Sequence, residues 1–168
     1  GVYVFDKNRQ LKTKFAYKKA HVTDGSELRV IHRLSVDPQG QVWALNDQVI
    51  YRFVPHLQKW EPLFFSEDEK FFDLLHFSEH SKGLSTNKYV YELWYEPKEQ
   101  NVAVKQKWIT NEDQHPTMLF RGHDGLVYVP SKSTDLIIYR KRGEELLPEK
   151  TLSVNAEIYS VWEDTLRN

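Results

Sequence analysis

An all-β chain of repeated four-stranded units is what this sequence predicts, and three observations predict it. The phrase "IHRLSVDPQG" returns in altered form as "LLHFSEHSKG", "PTMLFRGHDG" and, in part, "IYSVWED", which sets Asp37, His80, Gly122 and Asp164 at intervals of 43, 42 and 42 residues. A glycine follows three residues after the anchor at Gly40, Gly83 and Gly125, where a tight turn needs the positive φ that glycine adopts cheaply. Apolar residues alternate before each anchor and show no sustained 3.6-residue period. Four short strands in a repeat of about 40–45 residues is the signature of a β-propeller blade.

Taken in order, the first strand of each unit carries Ile31/Leu34/Val36, Leu75/Phe77, Met118/Phe120 and Ile158/Val161. The second reads "QVWALN" or "LVYVPS", matching Trp43 with Tyr128. The third reads "VIYRFV", "YVYELW", "IIYRK" and, at the start, "GVYVFD", which aligns Tyr51, Tyr91, Tyr139 and Tyr3. A polar turn and a more polar fourth strand follow, as in "QKWEPL" and "LKTKFAYKK". The units run approximately 1–27, 28–70, 71–113 and 114–154, with a partial one at 155–168. No helix is expected; "EDEKFFDLLHF" comes nearest and reads as a polar loop entering a strand.

Phase also relates the two ends. Asp37 to Tyr51 spans 14 residues, whereas passing from Asp164 through Asn168 to Gly1 and Tyr3 spans about seven, one strand short of a closed blade. The expectation is therefore about four blade-equivalents cut from a larger propeller.

Composition narrows the partners. A formal charge of −1 and a pI near 6.7 provide no basic field for nucleic acid, anionic lipid or polyphosphate. With no cysteine there is neither a disulfide framework nor a thiolate metal site. No apolar run approaches the ~20 residues of a membrane helix, so no membrane contact is expected of this segment. Aromatic residues at 14% suit half-buried strands.

With the repeat laid out, "DPQGQVWALNDQVIYRF", "IYSVWEDTLRN" and "GVYVFDK" resemble the two-component regulator propeller repeats, which build periplasmic sensor regions of hybrid histidine kinases in Bacteroidetes. Asp37, Gly40, Trp43, Tyr51 and Phe53 carry the likeness in one unit; Gly83, Thr86, Asn87 and Tyr91 carry it in a second, and Gly125 and Tyr128 in a third. The second unit lacks the Trp and has His80 in place of Asp, and the third has Gly122 there. A weaker likeness is to tachylectin-type propeller lectins. The resemblance implies a periplasmic, non-catalytic segment of a two-component receptor that binds carbohydrate fragments and works as a homodimer in the full-length protein. A free-standing lectin and a protein-interaction scaffold are the alternatives.

The repeated residues Asp37, Gly40, Trp43, Tyr51, Gly83, Tyr91, Gly125, Tyr128, Tyr139 and Asp164 read as scaffold, because a repeat keeps what each unit needs to stack on the next. His76 and His80 are four apart but share no helical face, and no Cys accompanies them, so neither a metal site nor a cofactor is expected. Carboxylate runs such as Glu67/Asp68/Glu69 read as solvated loops, and no nucleophile-elbow, P-loop or dinucleotide motif occurs. Function is expected where the units differ, in the loops at one mouth. Those loops supply Asp24, Asn46, Asp68, Asn87, Glu112, Asp113 and Lys132 to hydrogen-bond hydroxyls, with Trp94 and Trp108 as stacking platforms.

Overall fold

The computed structural model describes residues 2–5, 8–15, 30–109, 116–132, 134–143 and 145–162. Among the described residues there is no helix. A hairpin pairs β1 (Val2–Phe5) with β2 (Leu11–Phe15). Three four-stranded antiparallel meanders follow. The first is β3 (Arg33–Val36), β4 (Val42–Leu45), β5 (Val49–Val54) and β6 (Lys59–Phe65). The second is β7 (Phe71–His76), β8 (Ser81–Thr86), β9 (Val90–Glu96) and β10 (Asn101–Ile109). The third is β11 (Phe120–Arg121), β12 (Leu126–Pro130), β13 (Asp135–Arg142) and β14 (Glu145–Ser153).

Local chemistry explains the order. β5 and β9 are runs of β-branched and aromatic residues, which favour a pleated surface, and as third strands they pair on both edges. Short turns leave no room for crossovers, so each strand pairs with its predecessor. The turns joining third to fourth strands place Gln58, Gln100 and Gly143 at φ of 52°, 52° and 60°.

The first-to-second turns fix the true register of the repeat. Asp37 N–H donates to Gln41 O, Phe77 N–H to Ser81 O and Gly122 N–H to Leu126 O, each at 3.0 Å. Asp37, Phe77 and Gly122 are thus equivalent, at intervals of 40 and 45 residues. Gly40 and Gly125 take φ of 81° and 78° in these turns.

Two repeat assignments are corrected by this register. Gly83 is not a turn glycine: it lies inside β8, paired with Leu75 and Glu92 as Trp43 is paired with Ser35 and Arg52. The turn before it closes on Ser78, whose Oγ accepts from Ser81 N–H at 3.0 Å, so no glycine is required and His80 is not its anchor. Tyr139 pairs with Val127, whereas Tyr51 and Tyr91 pair with the equivalent residues Ala44 and Leu84. Tyr139 therefore stands two residues beyond the Tyr51 position, at that of Phe53.

The first two sheets stack face to face with like strands adjacent, β3 beside β7 and β6 beside β10. Trp43, Leu45 and Ile50 pack with Phe71, Leu74, Leu93 and Tyr95 in the first junction. Val90, Leu119, Val127, Ile137 and Tyr139 form the second, with Phe77 and Trp108 against them. Each large side chain buried there contributes about 1.5–3 kcal/mol. Asp73, 2% exposed, ties three first-strand edges together. Its Oδ1 meets Arg33 Nε at 2.7 Å and its Oδ2 accepts from Leu119 N–H at 3.0 Å.

Candidate functional site

Antiparallel meanders bring the second-to-third loops and the segments leading into β3, β7 and β11 to one end of the stack, forming a rim. Three equivalent residues shape its loops. Asn46 is buried: its Oδ1 accepts from Gln48 and Val49 N–H at 2.9 and 2.7 Å, and its Nδ2 donates to the Tyr51 hydroxyl at 3.2 Å. This tight turn presents Asp47 and Gln48 outward. Thr86 does the same in the second sheet, accepting from Lys88 and Tyr89 N–H at 3.2 and 2.9 Å. Ser131 holds the equivalent place in the third, its N–H donating to Asp135 O at 2.9 Å.

Each loop is also fastened to the chain leaving its sheet. Phe71 N–H donates to Asp47 O at 2.8 Å, while Asn87 exchanges two bonds with Lys70, N–H to O at 2.8 Å and Oδ1 from N–H at 2.7 Å. Glu69 accepts from Thr86 Oγ1 and from the Tyr91 hydroxyl, both at 2.5 Å. Burial, reinforced by the bond to Glu69, pushes the Tyr91 hydroxyl well above its ordinary range.

Two clefts open on this rim. The smaller, about 310 Å³, lies between Val30, His32 and the Asn46–Gln48 turn, with His32 Nε2 3.6 Å from Asp47 Oδ1. The larger, about 620 Å³, lies between the third sheet and the segment 157–159, bounded by Thr117, Ser131, Lys132, Glu157 and Tyr159. Lys132 holds its ammonium 5.7 Å from the Phe72 ring centre.

The rim holds some of the residues singled out by sequence and not others. Asn46 and Asn87 are there, with side chains engaged in the loops; Asp68 is exposed on the connection into β7, and Lys132 borders the larger cleft. Trp94 lies at the other end of its strand, opposite Ser81, with its ring stacked 5.0 Å from His80 and the Lys105 ammonium 5.0 Å from it. Trp108 is wedged between the second and third sheets, edge-on to Phe77 at 5.3 Å. Asp24, Glu112, Asp113 and Asp164 lie outside the described residues. Sequence reasoning passed over His32, Phe72, Thr117 and Tyr159. The first three stand five residues before the closing turn residue, and Tyr159 stands five before Asp164, a shared phase visible once the register is known.

The most perturbed basic groups lie elsewhere. Burial, with Lys82 nearby, holds His76 down at about 4, although Asp37 opposes this. Burial also lowers Lys82 to about 8. Its ammonium sits 4.8 Å from the Trp43 ring and 5.4 Å from that of Tyr95, and it donates to Glu79 O at 2.8 Å. Both belong to the packed junction between the first two sheets. Among the described residues no three His, Asp or Glu side chains are grouped to hold a metal.

No family model and no curated protein matches this chain. Solved structures do. The extracellular domain of BT4673 from B. thetaiotaomicron, described as a one-component system, superimposes with a TM-score of 0.63 at 15% identity over 88% of this chain. A second structure, of the extracellular domain of BT4673 described as a hybrid two-component system, gives 0.61 at 15% over the same share. The chain spans only 20% and 19% of those two chains. The likeness is one of fold.

Proposed function

We propose that this chain is part of the extracytoplasmic, ligand-sensing region of a two-component receptor, that its sheets are blades of a β-propeller, and that it binds carbohydrate fragments without chemistry of its own. The observation that carries this reading is the superposition on extracellular sensor domains over 88% of the chain. Sheets stacked with first strand beside first strand support the propeller, since that is how blades surround a channel.

The rim is the place for the ligand. Its loops are pinned from below by Asn46, Thr86 and Ser131, so the outward-facing Asp47, Gln48, Lys88 and Lys132 stand on a rigid base, which lowers the ordering cost of binding. Signalling then requires two arrangements of a receptor homodimer that the ligand binds unequally. Screening the purified chain on an oligosaccharide array tests the reading. Saturable retention of at least one saccharide is expected, and an array with no retained glycan would refute the carbohydrate part.

A further inference from the structure

The larger rim cleft has the chemistry of a particular class of sugar. At about 620 Å³ it falls within the range of small-molecule sites. Tyr159 is 83% exposed, and its hydroxyl donates to Glu157 Oε2, which sets a carboxylate beside the ring. Lys132 of the β12–β13 loop lines the same cleft, as does Thr117, whose hydroxyl donates to Pro130 O at 3.2 Å. An aromatic face offers an apolar platform, a carboxylate accepts from hydroxyls, and an ammonium donates to their oxygens.

Charge narrows the class further. Residues 46–48, 66–70, 86–88, 131–132 and 157 of the rim carry five carboxylates and three lysines. Over the rim as a whole that excess opposes an anionic ligand. A saccharide with uronate or sulfate groups stacked on Tyr159 would meet the Glu157 carboxylate held beside the ring.

We infer that the cleft between Lys132 and Tyr159 is a subsite for a neutral pyranoside, stacked on Tyr159 and held through its hydroxyls by Glu157 and Lys132. This rests on the carbohydrate reading above. Calorimetric titration of the chain with maltohexaose, cellohexaose, xylohexaose and hexagalacturonate tests it, alongside Tyr159→Ala and Tyr159→Phe. Because Tyr159 is so exposed, neither change disturbs the core, which far-ultraviolet circular dichroism verifies. Binding of a neutral oligosaccharide is expected, weakened about tenfold by Tyr159→Ala and kept within about threefold by Tyr159→Phe. Neutral binding indifferent to Tyr159→Ala, or tighter binding of hexagalacturonate, overturns this subsite while leaving the carbohydrate reading intact. If no saccharide on either this panel or the array binds, both fall together.

Discussion

The first and second sheets fill one slot with opposite chemistries. In the first, Trp43 occupies it, with its indole Nε1–H donating to Asp37 Oδ2 at 3.0 Å while Asp37 Oδ1 accepts from the turn amides of Gln39 and Gln41 at 3.0 and 2.9 Å. In the second, the equivalent residues are Gly83 and Phe77. The glycine leaves the slot empty and the phenyl ring folds back into it: a Cβ on Gly83 would lie 2.9 Å from Phe77 Cε2 and 3.1 Å from Leu119 Cδ1. The third sheet is a further variant. Tyr128 holds the Trp43 place and donates its hydroxyl to Asp124 at 3.1 Å, while Gly122 leaves room for that carboxylate. What the first two sheets preserve is a filled volume at their junctions, which close packing lets different residue pairs fill.

Replacing Trp43 with Ala should have the largest effect. It is fully buried between the first two sheets, and its loss should cost about 3–5 kcal/mol in urea unfolding. A loss under about 1 kcal/mol would show that this slot does not hold the junction.

Next in size is a pH effect confined to the first junction. His76 Nε2 meets Ser35 Oγ at 2.9 Å across the sheets and stays neutral in the fold down to about pH 4, while the unfolded chain takes up that proton near 6.5. The unfolded state thus binds more protons within this window, so stability is complete above about 6.5, falls as pH drops, and stops falling below about 4. Its contribution is about 3 kcal/mol. Comparing unfolding midpoints of the native chain and His76→Asn across that range isolates it. The variant's curve should be flatter, and parallel curves would rule the histidine out.

Two ion pairs with the same spacing provide a third contrast. Arg52 and Glu61 meet at 2.5 Å with side chains 12% and 20% exposed, whereas Arg140 and Glu149 meet at 2.8 Å with 41% and 43% exposed. Arg52 also donates to the Tyr95 hydroxyl of the second sheet. Glu61→Gln should destabilise by about 1–3 kcal/mol. Glu149→Gln should leave the unfolding midpoint unchanged, because solvent screens the exposed pair. Equal effects would contradict the difference in burial.

Smaller than Trp43→Ala, and more diagnostic, is Gly83→Ala. Crowding against Phe77 should cost about 1–3 kcal/mol, and most of that cost should vanish in a Phe77→Leu background. Strict additivity of the two changes would mean that Phe77 does not occupy the glycine's slot.

The same slot explains how far the sequence could be read. Strand alternation and the glycine turns at Gly40 and Gly125 expose the four-stranded units, because those turns need positive φ. The second unit misleads: its turn closes on Ser78 instead of glycine, and Gly83 lies three residues past the matching phase. Aligning on glycine therefore shifts the register. Lys132 lies on the predicted mouth, yet Tyr159 escaped notice because its segment looks like another strand start. Trp94 and Trp108 illustrate the converse. Strand position is readable from the pattern, but which end of the stack a side chain reaches depends on pairing, and Trp94 lies opposite Ser81 at the far end.

Amide chemical-shift mapping of the isotopically labelled chain during titration with a saccharide retained on the array tests the functional claim most directly. Perturbations should gather at Asp47–Gln48, Asn87–Lys88, Thr117, Lys132 and Glu157–Tyr159, the rim where the second-to-third loops meet. Perturbations confined to Gly40, His56, Gly125 and Gly143, at the opposite end of the sheets, would contradict the assignment of the ligand to this rim.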